Sequence, residues 1–348
     1  MIRIVLLTLL INGCSRAQNQ VISQQFFAFG TLIDISYYGI NKTQAIAATQ
    51  TVEALFLQQH RSWHAWEPGA LQELNSAIAT DQAATPPASI IKLIRLAQQF
   101  EKQSQGLFNP AIGKLLRVWG FQQNDAPQWQ SPDPARIQAL VALAPSSLQL
   151  KIDGNEVTSS NAAVQLDFGA FAKGYALGKA IETLTENGVH NTLINAGGDL
   201  CVSGQPGERN WQVGIRHPRN TGVMASIELT SGQCLFTSGD YERFTERDDN
   251  RIHHIINPKT GYSATGARSV TVLAHKPALA DAAATALFVA GPKQWQSIAR
   301  AMQINYVLMV DAKGILHTTP AMANLLKIES DLEPEIRINK PVPLLDNG

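Results

Sequence analysis

Charge of one sign is what the sequence most plainly lacks. Only 16% of its residues are charged, and 28 basic side chains balance 28 acidic ones. That balance leaves no electrostatic footprint for nucleic acid, so no nucleic-acid partner is expected. No apolar run approaches the roughly 20 residues that a membrane-spanning helix needs. No internal repeat is visible, which excludes a repeat architecture. A Walker loop is missing too. Gly169 and Gly174 have its spacing, but Tyr175 stands where the loop requires lysine. Cysteine is scarce, with Cys14, Cys201 and Cys234 the only three.

Apolar residues are plentiful. At 45% of 348 residues they can bury a substantial core, in one large domain or two intimate ones. Residues 1–14 read as an export signal. Arg3 is their only charge, Ile4 to Ile11 is apolar apart from Thr8, and Ile11-Asn12-Gly13-Cys14 follows. This segment resembles a bacterial lipoprotein signal, which implies a lipid on Cys14. Residues 15–25 are expected to tether the body, 26–326 to form it and 327–348 to drape loosely as a tail. The implied location is the periplasmic side of the bacterial envelope, lipid-anchored, with the inner membrane preferred over the outer. Ser15 is not the aspartate associated with inner-membrane retention, so the outer membrane stays open. Export permits a disulfide. The expectation for Cys201 and Cys234 is nonetheless a pair of buried free thiols.

The stretch from Leu166 to Ala180 organises the chain. Val164 to Phe168 reads as a short strand interrupted by Asp167. Ala170, Gly174, Leu177, Ile181 and Leu184 then recur at helix spacing, and Gly188 marks the stop. An acid therefore sits at the strand end and Lys173 in the first helical turn, beside unpaired backbone N–H groups that attract phosphate. An ordinary strand–turn–helix with two exposed charges is the alternative. Downstream, Leu200–Gly204, Trp211–Ile215, Ala225–Leu229 and Cys234–Thr237 read as successive antiparallel strands. A helix spans 279–289, stopped by Gly291. On it Asp281 and Thr285 lie four apart and share a face. Their oxygens suit a hard cation such as Mg2+, or else serve as a cap and a core contact. Upstream, Trp63 and Trp66 sit in a polar turn, either to stack on a planar ligand or to lid a core. His60 and His64 have metal-ligand spacing, but the Trp63–Pro68 stretch breaks the expected helix, and the pair reads as chance.

Taken in order, these segments resemble the ApbE family of FAD:protein FMN transferases. The match runs from about Phe26 to Gly291. It comprises Phe29-Gly30-Thr31, Gly106 to Pro110, Leu116 to Phe121, Leu166 to Tyr175, Asn195 to Gly198, Thr237 to Arg243, His254 to Gly261, and Asp281 with Thr285. The resemblance implies an α+β fold with mixed sheets and packed helices in a T-fold-like arrangement. It implies cleavage of FAD at its pyrophosphate and transfer of FMN to a threonine hydroxyl of an acceptor protein, with AMP released. Asp281, Thr285 and the carbonyl of Ala170 would hold Mg2+. Phe29, Trp66, Leu107, Phe108, Asn109, Asp167, Lys173 and Ile255 would contact FAD, and His254 would be the base. The acceptor would be an exported redox-complex subunit, as in a sodium-pumping NADH:quinone reductase or an Rnf-type complex.

Two positions depart from the family pattern, Phe29 for methionine and Asn109 for aspartate. Neither touches the metal pair or the histidine. His253 is expected to point away from the site, since alternate strand residues face opposite sides. Neither Cys201 nor Cys234 falls in a matched motif, so cysteine catalysis is not expected. A Mg2+-dependent FAD pyrophosphatase and a non-catalytic flavin-binding lipoprotein are the alternative functions.

Overall fold

A hairpin leads the chain into the fold. β1 (Ile22–Ala28) and β2 (Thr31–Tyr37) turn alternate residues inward, the period-two pattern of a sheet covered on one face. They pair antiparallel from Ile22↔Tyr37 to Ala28↔Thr31. Phe29 and Gly30 form the two-residue turn with φ of 51° and 73°, the positive values that a primed hairpin turn requires. The structure is a computed structural model and describes residues 20–121, 132–247, 250–329 and 334–339. The export signal and Cys14 lie outside the described residues.

α1 (Lys42–Trp63) starts at a capping box between Asn41 and Gln44. It is followed by α2 (Ala70–Ala79), α3 (Ala88–Gln103), α4 (Gly113–Val118) and α5 (Pro134–Ala142). β3 (Leu150–Asp153) and β4 (Glu156–Ser159) make a small hairpin that turns at Gly154. α6 (Ala172–Glu186) leads to β5 (Thr192–Ala196) and β6 (Asp199–Ser203). Then come β7 (Trp211–Arg216), β8 (Val223–Leu229), β9 (Cys234–Gly239), β10 (Phe244–Arg247), β11 (Asn250–His253) and β12 (Ala267–Ala274). The chain continues through α7 (Pro277–Ala301), β13 (Tyr306–Asp311), β14 (Leu316–Thr318), α8 (Pro320–Ala323), β15 (Lys327–Ile328) and β16 (Ile336–Ile338).

A nine-stranded sheet, ordered β1-β2-β5-β6-β9-β12-β13-β14-β16, divides the molecule. All its pairs are antiparallel except β14–β16, so the sheet is mixed and the fold is α+β. One face is covered by helices, whose residues Phe56, Ile94, Leu177 and Phe288 share a core with Ile33, Ile35 and Val270 of the sheet. On the other face Trp211 and Ile227, from the small sheet β15-β8-β7, bury Leu200, Leu273 and Leu308.

Several expectations change. β6 pairs with β9, while β7 and β8 pair with each other in a separate sheet, because the second apolar face needs a cover. β1 begins inside the expected tether, and the expected loose tail carries β15 and β16. Val164–Phe168 makes only a single bridge, Gln165 to Ile112, and is not a strand. α7 resumes after Gly291, where φ of 62° interrupts it, and continues to Ala301. Cys201 and Cys234 are a disulfide rather than free thiols. They face each other on β6 and β9 with Cα atoms 4.0 Å apart, a cross-strand proximity set by pairing that sequence spacing does not reveal.

Candidate active site

All twelve predicted site residues line one cleft of about 1010 Å³. The turn after β1 brings Phe29 to its wall, with its ring 5.2 Å from Phe56 and 5.8 Å from His60. Both tryptophans at the end of α1 line the cleft, Trp63 buried in the core and Trp66 half-buried. Leu107 and Phe108 are almost fully buried, and Phe108 packs edge-on against Phe100 and Phe171. The Asn109 amide donates to the Pro145 carbonyl at 2.8 Å and its oxygen accepts from Ala111 N–H. The donor half of that pair is beyond an aspartate carboxylate, which gives the departure from the family residue a structural reason.

The front of α6 is where backbone geometry becomes chemistry. Asp167 accepts from Gly169 N–H at 2.8 Å. Gly174 N–H, which an extended helix would direct to Ala170, donates instead to Asp281 Oδ2 at 2.8 Å. The Ala170 carbonyl accepts no hydrogen bond among the described residues, and it lies on the same cleft as Asp281 and Thr285. Thr285 Oγ1 is 3.2 Å from Ser238 Oγ. Two hydroxyls, a free carbonyl and a carboxylate are an all-oxygen set that fits Mg2+. Burial, with Asp199 nearby, pushes the Asp281 carboxyl well above its ordinary range. A carboxylate so desolvated gains from a cation beside it.

Lys173 is less free than the sequence implies. It is ion-paired with Asp199. Burial opposes its charge, but Asp199, Glu242 and Asp281 outweigh that and hold it above the ordinary lysine value. Asp199 also accepts from Thr237 N–H at 3.0 Å, which ties β6 to β9. Asp199, Glu242 and Arg243 all line the cleft and were not assigned individual roles from the sequence. The signal was present in the paired glycines before Asp199 and in the Asp240–Arg243 run. Five carboxylates (Glu67, Asp167, Asp199, Glu242, Asp281) thus face two cations (Lys173, Arg243), so an anionic ligand needs an added cation.

The two adjacent histidines are divided as expected. His253 is buried, with Nε2 2.9 Å from the Ala264 carbonyl and its ring against Phe288. His254 lines the cleft, and its Nδ1 is buried without a hydrogen-bond partner. Burial, then the charges of Arg243 and His253, push its pKa down to about 3. It is therefore neutral, and a weak proton acceptor for as long as that positive charge is not offset.

Gly174 fixes the approach of α6 to α7. A Cβ there would come within 2.8 Å of the Asp281 Cβ and 2.9 Å of the Pro277 carbonyl carbon. Helix propensity alone makes Gly174→Ala stabilising by about 0.5–1 kcal/mol. The clash reverses that, by roughly 1–3 kcal/mol for an overpacked contact. A lower melting temperature and weaker Mg2+ binding are expected, read by thermal melts with and without Mg2+. A higher melting temperature would mean that the two helices separate freely.

Comparison with known proteins follows the same lines. The model of the ApbE family matches residues 29–308. An FAD:protein FMN transferase of Rhodobacter capsulatus is 41% identical over 333 residues, which are 94% of this chain and 64% of that protein. The chain thus spans just under two thirds of that relative. An FAD:protein FMN transferase of Treponema pallidum is 33% identical over 300 residues, 79% of this chain and 80% of that protein. Among solved structures, the ApbE protein of Thermotoga maritima superposes with a TM-score of 0.80 at 28% identity, covering 88% of this chain and 99% of that one. The apo flavinyl transferase ApbE of Pseudomonas stutzeri gives 0.77 at 27% identity, covering 88% and 97%.

Proposed function

This chain belongs to the ApbE family, and on that premise we propose that it is an FAD:protein FMN transferase that uses Mg2+ to move FMN onto a threonine hydroxyl and releases AMP. The observation that carries this reading is the convergence of His254 with the Ala170, Asp281 and Thr285 oxygens on one cleft. The acceptor hydroxyl attacks the FMN-side phosphorus while the P–O bond to the AMP phosphate breaks. His254 takes the hydroxyl proton, since threonine is a poor nucleophile at neutral pH. Asp281, Thr285 and the Ala170 carbonyl would hold Mg2+, which when bound would offset the charge on the pyrophosphate oxygens. Phe29 and Trp66 supply apolar walls for the flavin or adenine ring. Lys173 and Arg243 supply the remaining positive charge.

That charge also tunes the base. Arg243 and Lys173 both depress the His254 pKa in the ligand-free protein. Bound pyrophosphate opposes both, so the His254 pKa is expected to rise when FAD binds. NMR titration of the His254 ring with and without FAD reads this directly. An unchanged or lower value in the complex would remove the electrostatic link between substrate and base.

The acceptor class inferred is an exported redox subunit, reached from a membrane-anchored enzyme. Cys14→Ser is accordingly expected to move the protein from the membrane to the soluble periplasmic fraction, because acyl chains anchor by roughly 0.8 kcal/mol per CH2. Unchanged fractionation would rule out the lipid. The transfer itself is tested by mass spectrometry of an acceptor domain after incubation with FAD and Mg2+. A mass increase of FMN less water, mapped to one threonine and lost when that threonine is alanine, is the expected result. An unmodified acceptor beside free FMN would make the protein a pyrophosphatase.

A further inference from the structure

We infer that His60, His64 and Glu67 form a second divalent-cation site, suited to Zn2+ rather than Mg2+, on a different wall of the same cleft. α1 runs to Trp63, so His60 lies in its last turn and His64 caps its end. The i, i+4 pair that read as chance is a true contact, with ring centroids 5.0 Å apart. Glu67 follows three residues on, and its Oε1 lies 3.5 Å from His64 Nε2. One ligand atom from each of the three residues falls within 4.8 Å of the others. The His60 side chain makes no hydrogen bond among the described residues. Two imidazoles and a carboxylate are the three-ligand set of an open zinc site, with further positions left for water or a ligand. Nitrogen donors select against Mg2+, whose preference is oxygen. The site uses the end of α1 and the turn after it, whereas the oxygen set comes from α6 and α7.

To take a metal, His64 must change its hydrogen bonding. In the metal-free protein Glu67 N–H donates to His64 Nδ1 at 3.0 Å, which in the neutral ring leaves the proton on Nε2. Ligation through Nε2 moves that proton to Nδ1 and gives up the backbone bond. The turn from His64 to Glu67 must then shift. Trp66 lies inside this turn, with its ring 4.7 Å from His64 and one side on the cleft. Loading the site therefore disturbs a wall of the cleft, and by reciprocity a ligand against Trp66 alters metal affinity.

The test uses the full chain in excess Mg2+, titrated with Co2+ as a spectroscopic probe. One equivalent of Co2+ is expected to give the visible absorption of a nitrogen-containing site. Zn2+ displaces it, further Mg2+ does not, and Asp281→Ala leaves it in place. His60→Ala and His64→Ala are expected to abolish the band. Glu67→Gln, at an exposed side chain, is expected to weaken Co2+ binding without lowering the melting temperature. A band that persists in His60→Ala, vanishes in Asp281→Ala, or never appears would overturn the inference. These outcomes are independent of transfer activity. Zn2+ is also expected to weaken FAD binding in the parent and not in Glu67→Gln, and equal effects in both would sever the link to Trp66.

Discussion

His254→Ala is expected to cut transfer to the acceptor by roughly 10²–10⁴-fold while FAD affinity stays near that of the parent. The imidazole acts only as the hydroxyl attacks, so its removal subtracts little from ground-state binding. It also removes a ring held at a pKa of about 3 by burial and neighbouring charge, and such a site tolerates an apolar replacement. The residual rate should rise with pH as hydroxide replaces the base. His253→Ala should behave in the opposite way. That ring is bonded to the Ala264 carbonyl and packed on Phe288, so its loss costs stability rather than chemistry. Steady-state transfer rates, FAD titrations and thermal melts of both variants separate the two roles. A normal rate in His254→Ala with a dead, well-folded His253→Ala would place the base one residue earlier.

Asp281→Ala is expected to abolish the response to Mg2+ in both activity and stability. Because burial raises this carboxyl above its unfolded value, the folded state binds the proton more tightly than the unfolded state does. Stability of the metal-free protein should therefore fall as pH rises from the unfolded carboxylate pKa toward the raised folded one. Mg2+ binds the ionised form and should restore that loss, raising the melting temperature most at the alkaline end. In Asp281→Ala both the pH slope from this group and the Mg2+-induced rise should disappear. The metal-free variant loses the bond from Gly174 N–H, which offsets the relief of removing a buried carboxyl. FAD binding should weaken less than turnover, because Phe29 and Trp66 remain. Differential scanning calorimetry across pH, with and without Mg2+, checks the sign. A variant that keeps the full Mg2+ response would show that the cation binds elsewhere.

Much of this site was legible because its residues are bound to local patterns. Asp281 and Thr285 share a face by helix periodicity, and His254 parts from His253 where β11 ends, one residue past the strand. What escaped depends on distant parts of the chain. The Cys201–Cys234 bond follows from β6 lying beside β9, a pairing that skips β7 and β8. Lys173 has the right position for phosphate, yet its partner Asp199 lies 26 residues on and across the sheet. The break in the Trp63–Pro68 stretch is real, but the helix reaches Trp63 first, so His60 and His64 still meet across its last turn. Val164–Phe168 has strand composition but pairs on one side only, with the backbone of residues 110–113, while on the other side the Asn75 side chain bonds both Leu166 N–H and its carbonyl.

The fate of the FMN half of FAD tests the central claim most directly. The protein is incubated with FAD, Mg2+ and a threonine-bearing acceptor domain, and the mixture is resolved on a denaturing gel viewed under ultraviolet light while AMP is measured. A fluorescent acceptor band that appears in step with AMP, and fails to appear with the His254→Ala protein, is the predicted result. AMP released beside free FMN with a dark acceptor band would contradict transfer and leave hydrolysis in its place.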